Sequence, residues 1–145
     1  MSNVNLADIA TPMKNYGSHL DNVTSGFHDG LFRYWQSRDF FHTAITGRLE
    51  DGKFCAQMPK LNFFFNSRDK FILSNKDLIS EVEFFTTVKE EEVSLLKCYL
   101  RFSGELTFDY PVSEEVFDTE YDRNIEIAVF NKILTSAYEN KLISA

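Results

Sequence analysis

The segment Val82–Asp109 limits what this chain can fold into more than any other. Val82, Phe84, Thr86 and Val88 alternate with Glu83, Phe85 and Thr87. After the charged run Lys89–Glu92 the alternation resumes, with Leu96, Cys98, Leu100 and Phe102 set against Lys97, Tyr99 and Arg101. Successive strand residues face opposite sides, so a period of two marks strands with one buried face and one that is at least partly wet. A four-residue charged loop between two such runs predicts an antiparallel hairpin, and a third strand is expected to begin near Leu106. An apolar sheet face needs cover from helices or from a second subunit.

The flanking sequence offers candidates for that cover. Phe40–Glu50 has strand propensity and ends in a turn at Glu50–Asp51–Gly52, and Lys53–Met58 can pair back across it. Pro59 breaks the run. Leu61–Asn66 reads as a strand, Phe71–Leu73 as a short apolar segment, and Ser74–Ile79 as a loop. Leu106–Phe108 closes the strand region. Ser113 is a candidate helix cap with Glu114 and Glu115 in the first turn. From Tyr121 to about Leu142 the pattern is helical: Ile127, Phe130, Leu134, Ala137 and Tyr138 make one stripe, widened by Ile125, Ala128, Val129 and Ile133. Upstream, Leu6, Ile9 and Met13 have helical spacing, Leu20, Val23 and Phe27 repeat it after Ser18, and Leu31, Tyr34 and Trp35 continue it loosely. With Pro12 and three of the six glycines (Gly17, Gly26, Gly30), residues 1–37 read as a mostly helical or partly mobile arm. Residues 38–145 read as the folded domain.

The formal net charge is −7, and no basic patch is visible to hold phosphates, so a nucleic-acid partner is not expected. No apolar run is long enough to span a bilayer, and the first residues lack the pattern of a signal peptide. Cys55 and Cys98 then read as two buried thiols in a cytoplasmic protein. His19, His28 and His42 fall at irregular spacings and read as surface or loop residues, outside any metal-ligand pattern. The glycines make no phosphate cradle, Glu90–Glu92 reads as a solvated hairpin tip, and no acid and base are singled out. Neither an enzyme nor a cofactor or metal site is expected.

The chain holds 15 Phe against one Trp. Phe63–Phe64–Phe65 and Phe84–Phe85 place consecutive rings on opposite strand faces, so they cannot all enter one core. Some ring surface must meet the arm, another subunit or a client.

Several segments, taken in order and spacing, resemble the SecB-type export chaperones: Met58–Pro59–Lys60–Leu61–Asn62–Phe63–Phe64–Phe65, then Val82–Val88, Ser94–Tyr99 and Phe102–Phe108, with Ile125–Tyr138 at the place of the family's long helix. The resemblance implies an α+β fold: a four-stranded or slightly larger antiparallel sheet packed by a long C-terminal helix, here with an N-terminal helical arm. It implies a homo-oligomer, dimer or tetramer, that holds unfolded or extended polypeptide clients without ATP. By the match, Leu61, Phe63 and Phe65 stand at client-binding positions. Phe84, Phe85, Leu96 and Phe102 complete the candidate set along the strands. Leu96 and Cys98 stand where export members carry an apolar residue and, two positions on, an acidic residue that docks the translocase motor; the acid is absent here, which turns expectation toward the branch serving antitoxins in toxin–antitoxin–chaperone systems. The alternative is a small acidic inhibitor or immunity-type protein using Glu90–Glu92 and Glu114–Asp122 against a folded basic partner.

Overall fold

The computed structural model describes residues 3–74, 77–109, 116–119 and 124–143. Helix α1 spans Leu6–Gln36. A 3-10 turn at Asp39–Thr43 leads into strands β1 (Thr46–Glu50) and β2 (Lys53–Met58), and a second, at Pro59–Leu61, into β3 (Phe63–Ser74). Then come β4 (Asp77–Val88), β5 (Glu91–Arg101), β6 (Glu105–Thr107), β7 (Val116–Asp118) and helix α2 (Ile125–Glu139). The strands form one sheet in sequence order, β1 through β7, every neighbour antiparallel.

The alternation that begins at Val82 builds the β4–β5 pair, with Val82 opposite Cys98 and Ser80 opposite Leu100. The connection is tighter than the expected four residues. Lys89 and Glu90 alone make it, both with positive φ (52° and 69°), the backbone of a two-residue hairpin turn that matches strand twist. Phe84 pairs with Leu96 and Phe85 with Ser94, so Leu95 is an inserted residue, and this bulge turns its side chain into the core. The expected loop at Ser74–Ile79 is also corrected. β3 and β4 stay paired out to Ser74 opposite Asp77, with Ile72 facing Ile79 and Leu73 facing Leu78, and apolar cross-strand pairs of this kind hold a ladder together. Asp51 and Gly52 turn the β1–β2 hairpin with φ of 53° and 77°. Phe40–Thr43 is not strand. Phe41 carbonyl accepts from the N–H groups of Ala44 and Ile45, and Trp35 Nε1 donates to Ile45 carbonyl at 2.9 Å, which ties the segment to the end of α1.

The SecB-like four-stranded sheet is therefore replaced by a seven-stranded, curled sheet with a long helix before it and a shorter one after it. The apolar face is wider than four strands, and α1 supplies most of the cover. α1 is one continuous helix of 31 residues, opened by a capping box between Asn5 and Asp8. From Gly17 onward it buries Gly17, Leu20, Thr24, Phe27, His28 and Leu31. α2 covers the rest with Ile125, Val129, Phe130, Ile133 and Ala137. Phe130 and Ala137 belong to the expected stripe and Ile125, Val129 and Ile133 to the set expected only to widen it, while Tyr138 is exposed. The Ser113 cap with Glu114 and Glu115 lies outside the described residues.

Phenylalanine rings knit these layers. Phe54, Phe65 and Phe84 run across β2, β3 and β4 with centroids about 6 Å apart. Phe27 of α1 meets Phe84 at 6.4 Å, and Phe130 of α2 meets Phe54 at 5.6 Å. α2 reaches β2 through Phe130 while packing on β5, which the curl of the sheet allows. At Gly47 an added Cβ would sit 3.0 Å from both Phe54 and Trp35, so glycine lets the end of α1 lie on the edge strand.

Phe84→Ala is expected to cost about 3–5 kcal/mol of unfolding free energy, the range for an aromatic removed from a closed core. Phe64→Ala, on the outer face, is expected to cost less than about 1 kcal/mol. Urea denaturation followed by circular dichroism measures both.

Candidate functional site

The expected client-binding residues do not come together. Phe63, Phe65 and Phe84 are 5%, 1% and 0% exposed, on the face covered by the helices. Leu96 is half-buried against the same core. Phe85 lies on the outer face, half-buried, with the Arg68 guanidinium 4.3 Å from its ring centre. Leu61 and Phe102 are exposed, but Leu61 precedes β3 and Phe102 follows β5. Those two strands run parallel to each other on either side of β4. The residues therefore sit at opposite ends of the sheet, roughly 35 Å apart at about 3.3 Å per strand residue. The consecutive rings do divide between the faces, yet one face is sealed and the other keeps only Phe64 largely open.

The outer face of β3, β4 and β5 is a layer of paired charges. Arg68 bridges Glu83 and Glu92, each at 2.8 Å, and Lys70 lies 3.8 Å from Glu81. Burial works against the Glu83 charge, but hydrogen bonds from Ser94 and Arg68 outweigh it and hold the carboxyl below its ordinary value. Burial, then the neighbouring Glu81, raises the Tyr99 phenol. Glu92 thus belongs to a cross-strand bridge, which leaves Glu90 and Glu91 at the acidic tip. Of the Glu114–Asp122 segment only residues 116–119 are described.

His28 was expected at the surface and is 1% exposed. The correction follows from its place on α1, one turn after Thr24 and facing the sheet. Phe54 N–H donates to His28 Nδ1 at 2.9 Å, so the ring proton is assigned to Nε2, which donates to Asp69 Oδ1 at 2.9 Å. Lys53 Nζ donates to Asp69 Oδ2 at 2.8 Å, and nearby the Thr24 and Ser80 hydroxyls meet at 2.8 Å. With both ring nitrogens engaged, His28 has none left to take a proton from a nucleophile. The cluster pins α1 to β2 and β3. His19 and His42 are exposed, bonded to the carbonyls of Phe102 and Trp35.

Cys55 and Cys98 are free and buried, and burial raises both thiols, the opposite of an activated cysteine. A cleft of about 420 Å³ beside Cys55 is lined by Arg48 and Glu50, paired with each other, by Lys53, paired with Asp69, and by Asp51. Among the described residues no group of His, Cys, Asp and Glu could hold a metal ion, and no helix is long and apolar enough to cross a membrane.

Phe40, Leu61, Phe64 and Tyr138 are exposed at separate places, whereas α1 carries exposed apolar side chains in a continuous row. Leu6, Ile9, Met13 and Tyr16 are 79%, 44%, 43% and 41% exposed. They continue, turn by turn, the same side of the helix that buries Leu20 and Phe27. Tyr16 stacks on exposed Phe102 at 5.1 Å, which extends the strip onto the β5–β6 turn. The spacing of Leu6, Ile9 and Met13 already places them on one helical face. The signal was legible, but the length of the sheet beneath it was not. Comparison with protein-family models, with curated proteins and with solved structures gives no match.

Burial opposes the Asp69 charge, yet the His28 and Lys53 contacts outweigh it and hold the carboxyl below its ordinary value. A depressed carboxyl stabilises the fold above the pKa of the unfolded chain, about 3.9 for Asp, and the contribution is lost as pH falls through the folded value. The stability gap between wild type and Asp69→Asn is therefore expected to be full at pH 7 and to shrink below about pH 4. Urea titrations across that range read it directly.

Proposed function

We propose that this chain acts by holding another polypeptide, without ATP and without catalysis, in the manner of the SecB-type chaperones that its strand sequence resembles. One observation carries the reading: a strip of uncharged apolar side chains, Leu6, Ile9, Met13, Tyr16 and Phe102, stands exposed on the described surface. Exposed apolar surface of that continuity marks an interaction site. The surface differs from the strand grooves the resemblance implies, since those rings are inside. An apolar segment of an unfolded or incompletely folded client would cover the strip. Affinity would come from apolar area removed from water at about 25 cal/mol per Å², less the cost of ordering the client. The same resemblance points to an antitoxin of a toxin–antitoxin–chaperone system as the client, and the two free buried thiols support the cytoplasm as the place. The acidic-inhibitor reading is not favoured, because Glu92 is already engaged by Arg68.

The purified protein is expected to suppress aggregation of a chemically unfolded client, followed by light scattering, equally well with and without ATP. Leu6→Glu combined with Met13→Glu should abolish suppression, and Phe64→Glu should retain it. Full suppression by the double variant would overturn this assignment of the surface.

A further inference from the structure

We infer that in the free protein the exposed strip of α1 pairs with the same strip of a second copy, the two helices antiparallel about a twofold axis, so that client and partner copy compete for one surface. The inference rests on the holding role proposed above.

The spacing supports a helical partner. Leu6, Ile9, Met13, Tyr16, Leu20, Val23 and Phe27 follow one another by alternating steps of three and four, the repeat of a coiled-coil seam whose side chains seat between those of a facing helix with the same repeat. The second half of the seam is already occupied, since Leu20 and Phe27 are buried and Val23 packs against the core. The first half is the same seam continued, and among the described residues its one ring contact is that of Tyr16 with Phe102. An isologous pair satisfies it, because each copy supplies what the other lacks.

The flanks fit close approach. Ala10, exposed, borders the open part of the seam, while Pro12 and Gly17 are buried within the protomer. The two charged residues of the first three turns, Asp8 and Lys14, lie off it, and Asp8 is engaged by the backbone of Asn5. Pairing would therefore desolvate no charge. Only the antiparallel arrangement serves. The later turns of each helix lie on their own sheet, so a parallel pair would drive two sheets into each other, whereas an antiparallel pair places them at opposite ends.

The area suffices. At roughly 200 Å² for a large side chain, the exposed fractions of Leu6, Ile9, Met13, Tyr16 and Phe102 amount to roughly 500 Å² per copy. A twofold pair would bury roughly 1,000 Å², the lower bound for a specific interface. An interface at that bound is stable enough to form and weak enough for a client to displace.

The test is the mass in solution at tens of micromolar chain, by light scattering coupled to size exclusion. Wild type is expected at twice the chain mass, Leu6→Glu/Met13→Glu at the single mass with unchanged circular dichroism, and Phe64→Glu still at twice. Saturating unfolded client should convert the dimer into complexes containing one copy. A monomeric wild type that still suppresses aggregation overturns this inference and leaves the holding role standing. So does a client held by an intact dimer. A dimeric wild type that suppresses nothing overturns the competition together with the holding role, while the self-pairing itself survives in the mass.

Discussion

The structure depends on α1 lying across the inner face of the sheet. Without it, the line of rings from Phe54 through Phe65 to Phe84 would face water, and α2, with 15 residues, could cover only part of that line. Two different interactions hold the helix there. Leu20, Phe27 and Leu31 supply buried apolar area, which is strong but indifferent to small shifts along the axis. His28, bonded at once to the backbone of β2 and to Asp69 of β3, supplies direction. Its bonds are satisfied at one rotation and one height of the helix, and a buried polar group left unpaired costs far more than the bond gains.

That division of labour has a consequence for the surface. The inner face is closed by hydrophobic packing, and the outer face of the central strands is closed by its own charges. Arg68 spans three strands by gripping Glu83 and Glu92 while covering Phe85. A sheet face whose charges are paired with one another offers little to an apolar chain, which would have to desolvate them. Apolar surface in excess of one core is therefore displaced from the strands to the start of the helix, where the seam outruns the buried part of its length. A holding function located there relies on a rigid, preformed helix face in place of a groove between strands.

Much of the fold was legible in the residues. The period of two from Val82 to Phe102 appears as β4 and β5, and Asp51–Gly52 turns the first hairpin as its residue types require. The extent of the sheet was not legible. Phe71–Leu73 and Ser74–Ile79 look like a fragment and a loop because their apolar residues become a strand pair only when Ile72 meets Ile79 and Leu73 meets Leu78. The burial of His28 was equally hidden, since nothing local to the helix announces a partner 41 positions away at Asp69.

By itself, the sequence determined the strand pair that starts from Val82, the helical spacing of Leu6, Ile9 and Met13 and of Leu20, Val23 and Phe27, and that consecutive phenylalanines would be split between two faces. Period and side-chain type are local properties, and local sterics and solvation enforce them. Only the tertiary structure decided which strand face was sealed, how many strands shared it, and where along α1 the cover ran out. Those outcomes depend on which distant segments meet and on the finite width of the sheet, and no stretch of the chain encodes them alone.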